Sequence, residues 1–237
     1  RRILRQAYAS FVSKSEEQEI LSGVAEWILD NFYVVQQAAR QVDENMPVGY
    51  YRRLPKLDES SLRAYPRVYA LAREILRTVG GQIDVDRVKR FVRAYQEVRP
   101  LTMGEIWALP TMLRLGVLER LTWTVADAAN LEIPVIEGSL PDPVAFDEQK
   151  KEATVANAIN SLRAIDAQDW DRFFEAVSLV EEALRLDPAN VYAAMDFDSR
   201  DRYRGVVEEL ARVVDRSEKD VAGAALRLAR RRRDRDL

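Results

Sequence analysis

Ser22-Gly23-Val24-Ala25-Glu26-Trp27-Ile28-Leu29-Asp30-Asn31-Phe32-Tyr33-Val34-Val35-Gln36-Gln37-Ala38-Ala39-Arg40-Gln41-Val42-Asp43-Glu44-Asn45 is the stretch on which the fold turns. Val24, Trp27, Ile28, Val35, Ala38 and Val42 recur at helical spacing, which lays them on one face; a strand would alternate. Ser22 is a suitable N-cap, because its hydroxyl can accept an orphan N–H of the first turn. Pro47 and Gly49 stop the run.

The same pattern repeats outward in both directions. Ile3 to Phe11 reads as a short helix, and Ser13 with Glu16, or Ser15 with Gln18, could form a capping box for a following turn. Pro66 suits the first turn of a helix reaching Val79, with Gly80-Gly81 as its terminator. Asp84 caps the next helix, which carries Val88, Phe91, Val92 and Tyr95 and ends before Pro100. Thr102 and Glu105 form a Thr-x-x-Glu capping box for a helix through Leu121, with a kink predicted near Ile106–Pro110.

From Trp123 to Asp147 the texture changes: Leu131 to Ile136 alternates, and Pro134, Gly138, Pro141 and Pro143 break any helix. A loop or linker with at most one short strand is expected there. Helices resume at Glu148–Ile165 and, capped by Asp169, at Trp170–Leu186, whose buried set is Phe173, Phe174, Val177, Val180, Ala183 and Leu184. A short turn at Val191–Met195 precedes a helix capped by Ser199 and running to Val214, and Ser217 caps the last. The expected architecture is all-α, a multi-helix bundle or short helical solenoid with Pro-interrupted connectors. Its expected parts are a helical subdomain at 1–121, a linker or irregular loop at 122–147, and a helical subdomain at 148–237 packed on the first.

Composition narrows the chemistry. The 237 residues are 47% hydrophobic and 32% charged with a net charge of −3, a balance that does not point to nucleic acid or an acidic membrane surface. With no Cys there is no disulfide, thiolate zinc site or cysteine nucleophile; with no His, the Ser-His-Asp and Cys-His arrangements and the common metal ligand sets are excluded. No apolar run reaches the roughly 18 residues of a membrane span, and no cofactor site is legible. The chain opens Arg1-Arg2-Ile3 rather than with Met, so an excised fragment is expected.

Several local patterns have ordinary readings. Ala176, Ala183 and Pro188 have the spacing of the end of a tetratricopeptide repeat, but no second copy lies a period of about 34 residues away. Asp196, Asp198 and Asp201 look like the start of a cation loop, yet Asp201 and Val207 stand where an EF-hand needs Gly and Glu. The expected role of Asp198 and Asp201 is to favour a helix N-terminus, with Arg200, Arg202 and Arg204 bridging to neighbouring helices. Arg230–Arg233 read as a solvated helix end, diluted by Asp234 and Asp236, and the pairs Glu181-Glu182 and Glu208-Glu209 read as outward-facing.

The connector Gly49-Tyr50-Tyr51-Arg52-Arg53-Leu54-Pro55-Lys56, continued by Tyr65-Pro66-Arg67-Val68-Tyr69, is different in kind. The candidate contacts are Tyr50, Tyr51, Arg52, Arg53, Lys56, Tyr65, Arg67, Tyr69, Arg93 and Tyr95. Rings can stack on sugar faces, and guanidiniums can clamp phosphate or carboxylate. Alternatively, hydroxyls and guanidiniums satisfy the carbonyls of broken helix ends, and this structural use is favoured because buried irregular backbone needs such partners.

These residues also carry a family resemblance. Asp30-Asn31-Phe32, Gly49 to Leu57, Tyr65 to Leu71, Phe91 to Val98, Pro100 to Ala108, Asp169 to Glu175, Val191 to Phe197 and Ser199 to Arg204 resemble the cyclic β-1,2-glucan synthase family. The runs cover roughly 22–116 and 153–215. The chain departs from the family at Phe32-Tyr33, where a His is usual, and 122–150 match nothing in it. The resemblance implies a piece of a large membrane-embedded enzyme that polymerises and cyclises glucose, from the region ahead of its glycosyltransferase domain. The Gln-x-x-Arg-Trp hallmark of such transferases is absent from the sequence, and the Asp-x-Asp spacings it does hold, at Asp84–Asp86, Asp169–Asp171, Asp196–Asp198 and Asp234–Asp236, stand without it, so no catalytic residue is carried over. The implied role is a non-catalytic accessory domain on the cytoplasmic side of a bacterial inner-membrane enzyme. Its implied partners are the other domains, with β-glucan as a candidate ligand. The alternative is a freestanding helical interaction module with no carbohydrate role.

Overall fold

A computed structural model describes residues 1–18, 20–58, 62–79, 82–133 and 148–233 of the chain. Among them every regular element is helical, and the one β-type contact is a lone antiparallel bridge between Lys56 and Pro66. The chain divides into two compact units, residues 1–88 with 108–168 and residues 89–107 with 169–237.

The first unit contains α1 (Arg2–Glu16), α2 (Gly23–Asn45), α3 (Val48–Arg53), α4 (Arg67–Thr78), the first turn of α5 (Val85–Val98), most of α6 (Met103–Ala128), and α7 (Glu148–Ala167). Ser22 caps α2 as expected, accepting from the Ala25 N–H, and α2 packs on α7 and α1. Val24, Ile28, Val35 and Ala38 are buried on α2, as are Leu4, Ala7 and Phe11 on α1, and Tyr8 of α1 stacks on Phe32 of α2 at 4.2 Å. Val155, Ile159, Leu162 and Ile165 form the buried face of α7.

Helix α6 is buried nearly all round from Ala108 to Leu118, which explains why its sequence shows little amphipathic period. Gly116 allows close packing there, since a Cβ would lie 2.6 Å from Leu76 Cδ1 of α4. The Thr102–Glu105 capping box forms in both directions: the Thr102 N–H donates to Glu105 at 2.9 Å, and the Glu105 N–H to Thr102 at 3.2 Å. Pro110 lies inside α6. The expected end at Leu121 is corrected, because Val125, Ala126 and Ala129 continue the buried face and the helix runs to Ala128. Helix α1 also runs past Phe11, so Ser13 and Ser15 sit inside it and cap nothing; Ser13 Oγ instead donates to Glu17. The Gly80-Gly81 terminator, the linker from Pro134 to Asp147, the C-terminal part of the strand-like segment, and Asp234 and Asp236 lie outside the described residues.

The second unit holds the rest of α5, the start of α6 up to Trp107, α8 (Trp170–Val177), α9 (Leu179–Leu184), a 3-10 turn (Tyr192–Ala194), α10 (Phe197–Val214) and α11 (Glu218–Arg233). Helix α11 packs on α9 and α10. Trp107 stacks on Phe174 at 4.5 Å and meets Phe197 edge-on, so an aromatic cluster sits among α6, α8 and α10. The single helix expected over 170–186 is corrected to two: Asp169 caps the first, and Ser178, in extended conformation, separates it from the second.

Candidate functional site

The connector in the first unit is less irregular than its prolines imply. The Pro47 carbonyl accepts from the Tyr50 and Tyr51 N–H groups, and Val48–Arg53 close into the short α3. Beyond Leu54 the chain pairs with itself: Leu57 N–H donates to Tyr65, Ala64 N–H to Leu57, and Arg67 N–H to Pro55 at 2.8 Å. Ala64 turns the corner at φ 69°, in the left-handed region.

On this frame Lys56 donates to the Tyr51 carbonyl at 2.7 Å, with its ammonium 3.7 Å from the centre of the Tyr51 ring. A cation at a helix C-terminus is favoured by the dipole, and the ring adds a cation–π contact. Burial holds the Lys56 ammonium below its usual range; burial and then Tyr65 raise the Tyr51 hydroxyl. Tyr65 stacks on Tyr69 at 5.2 Å, and the buried Tyr69 hydroxyl donates to both oxygens of Glu119 on α6, at 2.9 and 2.8 Å. Burial, then the Glu119 carboxylate, push the Tyr69 hydroxyl far above its ordinary value, so it remains a donor. The structure therefore gathers Tyr51, Lys56, Tyr65 and Tyr69. Arg67 is buried and Tyr50 half-buried, while Arg52 and Arg53 are exposed with no charged partner among the described residues.

Arg93 and Tyr95 belong to the second unit, where Arg93 meets a feature the sequence did not announce. The extended Ser178 takes the Ala176 and Val177 carbonyls out of the helical ladder. Arg93 supplies Nε at 3.1 Å and Nη2 at 2.8 Å to the Ala176 carbonyl, and Gln96 Nε2 reaches that of Val177 at 2.8 Å. The Ser178 hydroxyl accepts the Glu181 N–H and so restarts the helix as α9. Tyr95 is half-buried on α5.

Glu181 corrects the outward reading of the Glu181-Glu182 pair. Its side chain is fully buried and accepts from the Tyr192 hydroxyl at 2.6 Å, Arg204 Nη1 at 2.9 Å and Arg185 Nε at 2.8 Å. Arg204, 1% exposed, lies between Phe174 and Phe197, its guanidinium 5.0 and 4.6 Å from their ring centres. Arg200 and Arg185 both pair with Glu175. Thus Arg200 and Arg204 bridge to neighbouring helices as expected, whereas Arg202 is exposed with no partner among the described residues. Burial, then the Glu181 carboxylate, raise the Tyr192 hydroxyl well above its usual range, which keeps its proton on the oxygen that donates. The missed signal was the spacing: Glu181 stands four residues after Val177, seven after Phe174 and three before Leu184, which places it on their buried face.

The N-cap of α10 is Asp196 rather than the expected Ser199; Asp196 accepts from both the N–H and the hydroxyl of Ser199. Along α10, Tyr203, Val206, Leu210 and Val213 are 53%, 54%, 48% and 76% exposed. Their spacing of three, four and three residues makes an apolar seam open to solvent.

The chain is similar to the cyclic beta-(1,2)-glucan synthase NdvB of Rhizobium meliloti (strain 1021), with 29% identity over 292 aligned positions. The match takes in 95% of this chain and 10% of the relative, so the chain spans about a tenth of the length of the curated relative it matches. The aligned length exceeds the 237 residues here, so the relative carries additional residues within the matched stretch. No family model matches the chain.

Proposed function

We propose that this chain is a helical, non-catalytic accessory part of a cyclic β-1,2-glucan synthase-like glycosyltransferase, on the cytoplasmic side of a bacterial inner-membrane enzyme. Its main work in this reading is interdomain docking, with guidance of the growing glucan as a second role, and it needs no cofactor. The observation that carries docking is the seam Tyr203–Val206–Leu210–Val213, because exposed apolar side chains at heptad spacing suit a partner helix. The proposed occupant is an amphipathic helix from the rest of the same long polypeptide, since nine tenths of the relative lies outside the match. The buried charges Glu181 and Arg204 are held by internal partners, which supports a scaffolding role over a reactive one.

The test is Val206→Asp with Leu210→Asp in the full-length polypeptide that carries this stretch. Cyclic glucan production should fall while the melting temperature of the isolated 237-residue chain stays unchanged, because both side chains face solvent there. Unchanged production would sink the docking reading. Full production combined with seam-dependent binding to a separate protein would favour the freestanding interaction module.

A further inference from the structure

We infer that the groove at the α8–α9 break in the second unit binds a short, neutral, hydroxyl-rich oligosaccharide; the inference rests on the proposed role in glucan guidance and moves its site. The groove has a volume of about 630 Å³, within the range of small-ligand sites. Arg93 and Glu97 of α5, Ser178 at the break, Glu182 of α9, Arg185 just after it, and Lys219 of α11 line it.

Two of these side chains are fixed in place while keeping donors to spare. Arg93 is held through Nε and Nη2 on the Ala176 carbonyl, and Arg185 through Nε on Glu181 and Nη2 on Glu175. Each guanidinium plane is therefore oriented by the fold, and the Nη1 group of each has no partner among the described residues. The Glu97 and Glu182 carboxylates and the Lys219 ammonium also lack a partner among those residues.

The available groups thus number both donors and acceptors, with charges of both signs. An inorganic anion entering the groove would face Glu97 and Glu182, and a cation would face the arginines and Lys219. A neutral polyol has neither conflict, because each hydroxyl can donate to a carboxylate and accept from a guanidinium or ammonium. Orientation of the guanidiniums by their other bonds lowers the ordering cost of binding.

Titration of the 237-residue chain with a linear β-1,2-linked glucose trisaccharide, followed by amide NMR, tests this. Saturable shifts at Ser178, Glu97 and Lys219 are expected, with inorganic phosphate at the same concentration producing none there. Glu97→Gln with Lys219→Ala should weaken the response about tenfold, the loss of one or two hydrogen bonds to charged groups. Both side chains are exposed, so an unchanged melting temperature will show that the fold is intact. Shifts confined to Tyr50, Tyr51 or Trp107 would overturn the groove while leaving glucan guidance standing. No shift anywhere at millimolar sugar would overturn both, and phosphate shifts equal to the sugar's would overturn the neutral-ligand assignment.

Discussion

The connector in the first unit and the α8–α9 break in the second are both places where the helical ladder stops, and they satisfy the freed backbone by opposite means. Between Pro47 and Pro66 the chain mostly bonds to itself, through α3, the Leu57–Tyr65 contacts and the Arg67 N–H on Pro55. At Ser178 the carbonyls are met by Arg93 and Gln96, which lie more than 80 residues away in sequence. A break marked by proline is visible locally because proline removes a donor whatever surrounds it. A break at serine is invisible locally, because serine in a helix and serine at an N-cap are both acceptable.

This difference predicts that the second unit depends far more on single polar side chains than the connector does. The largest effect is expected from Glu181→Ala, which strips the acceptor from buried Arg204 and Tyr192 and should cost about 3–5 kcal/mol. Denaturant unfolding measures it, and a loss below about 1 kcal/mol would mean the pairing is not what holds α9 to α10.

Gln96→Ala should come next, destabilising by about 1–3 kcal/mol because the Val177 carbonyl is left buried without a donor. Hydrogen exchange should show the increase in opening at α8 and α9 and leave α3 unchanged. Equal opening in both units would erase the comparison.

A pH dependence should also belong to the second unit. Burial, against the Met103 N–H that it accepts at 2.7 Å, and aided by Glu208 and Glu105, raises the Glu218 carboxyl to about 7. The folded state then binds more protons than the unfolded state between the ordinary carboxyl value of 4.5 and about 7. Stability contributed by Glu218 is therefore present at low pH and is lost as pH rises through that window. Thermal melts at pH 5 and pH 8 should show the second unit less stable at pH 8, and Glu218→Gln should flatten the difference. A melt that is more stable at pH 8 through Glu218 would contradict the burial argument.

The smallest effect is a gain. Ala64→Gly removes a Cβ from a residue at φ 69° and should stabilise the connector by about 0.5 kcal/mol. A loss on this substitution would show that the turn tolerates Ala without strain, and that the connector is not held mainly by its own backbone geometry.

Read residue by residue, the helices were largely legible. Ser22, Asp84, Asp169 and Ser217 cap where their spacing to the next apolar residue said they would, and the Thr102–Glu105 box formed as written. Capping is a contact within one turn, so sequence contains both partners. Helix ends that depend on burial were read short: α6 continues past Leu121 because tertiary packing, not a local signal, rewards Val125 and Ala126. Of the candidate site residues, Tyr51, Lys56, Tyr65 and Tyr69 gather, whereas Arg93 serves the Ala176 carbonyl within its own unit, a partner that no local pattern names.

The amino-acid sequence by itself determined an all-helical chain, the positions of most caps, a Pro-interrupted connector rich in tyrosine and arginine, and a likeness to cyclic β-1,2-glucan synthases. Periodicity, capping and proline sterics act over one or two turns, so each can be read from neighbours. Only the tertiary structure decided that Ser178 breaks a helix, that the Glu181 carboxylate is met by Arg204 and Tyr192, and that Arg93 and Gln96 complete the backbone there. Those outcomes depend on groups far apart in sequence meeting in space, where a buried carboxylate is stable only with its distant donors in place.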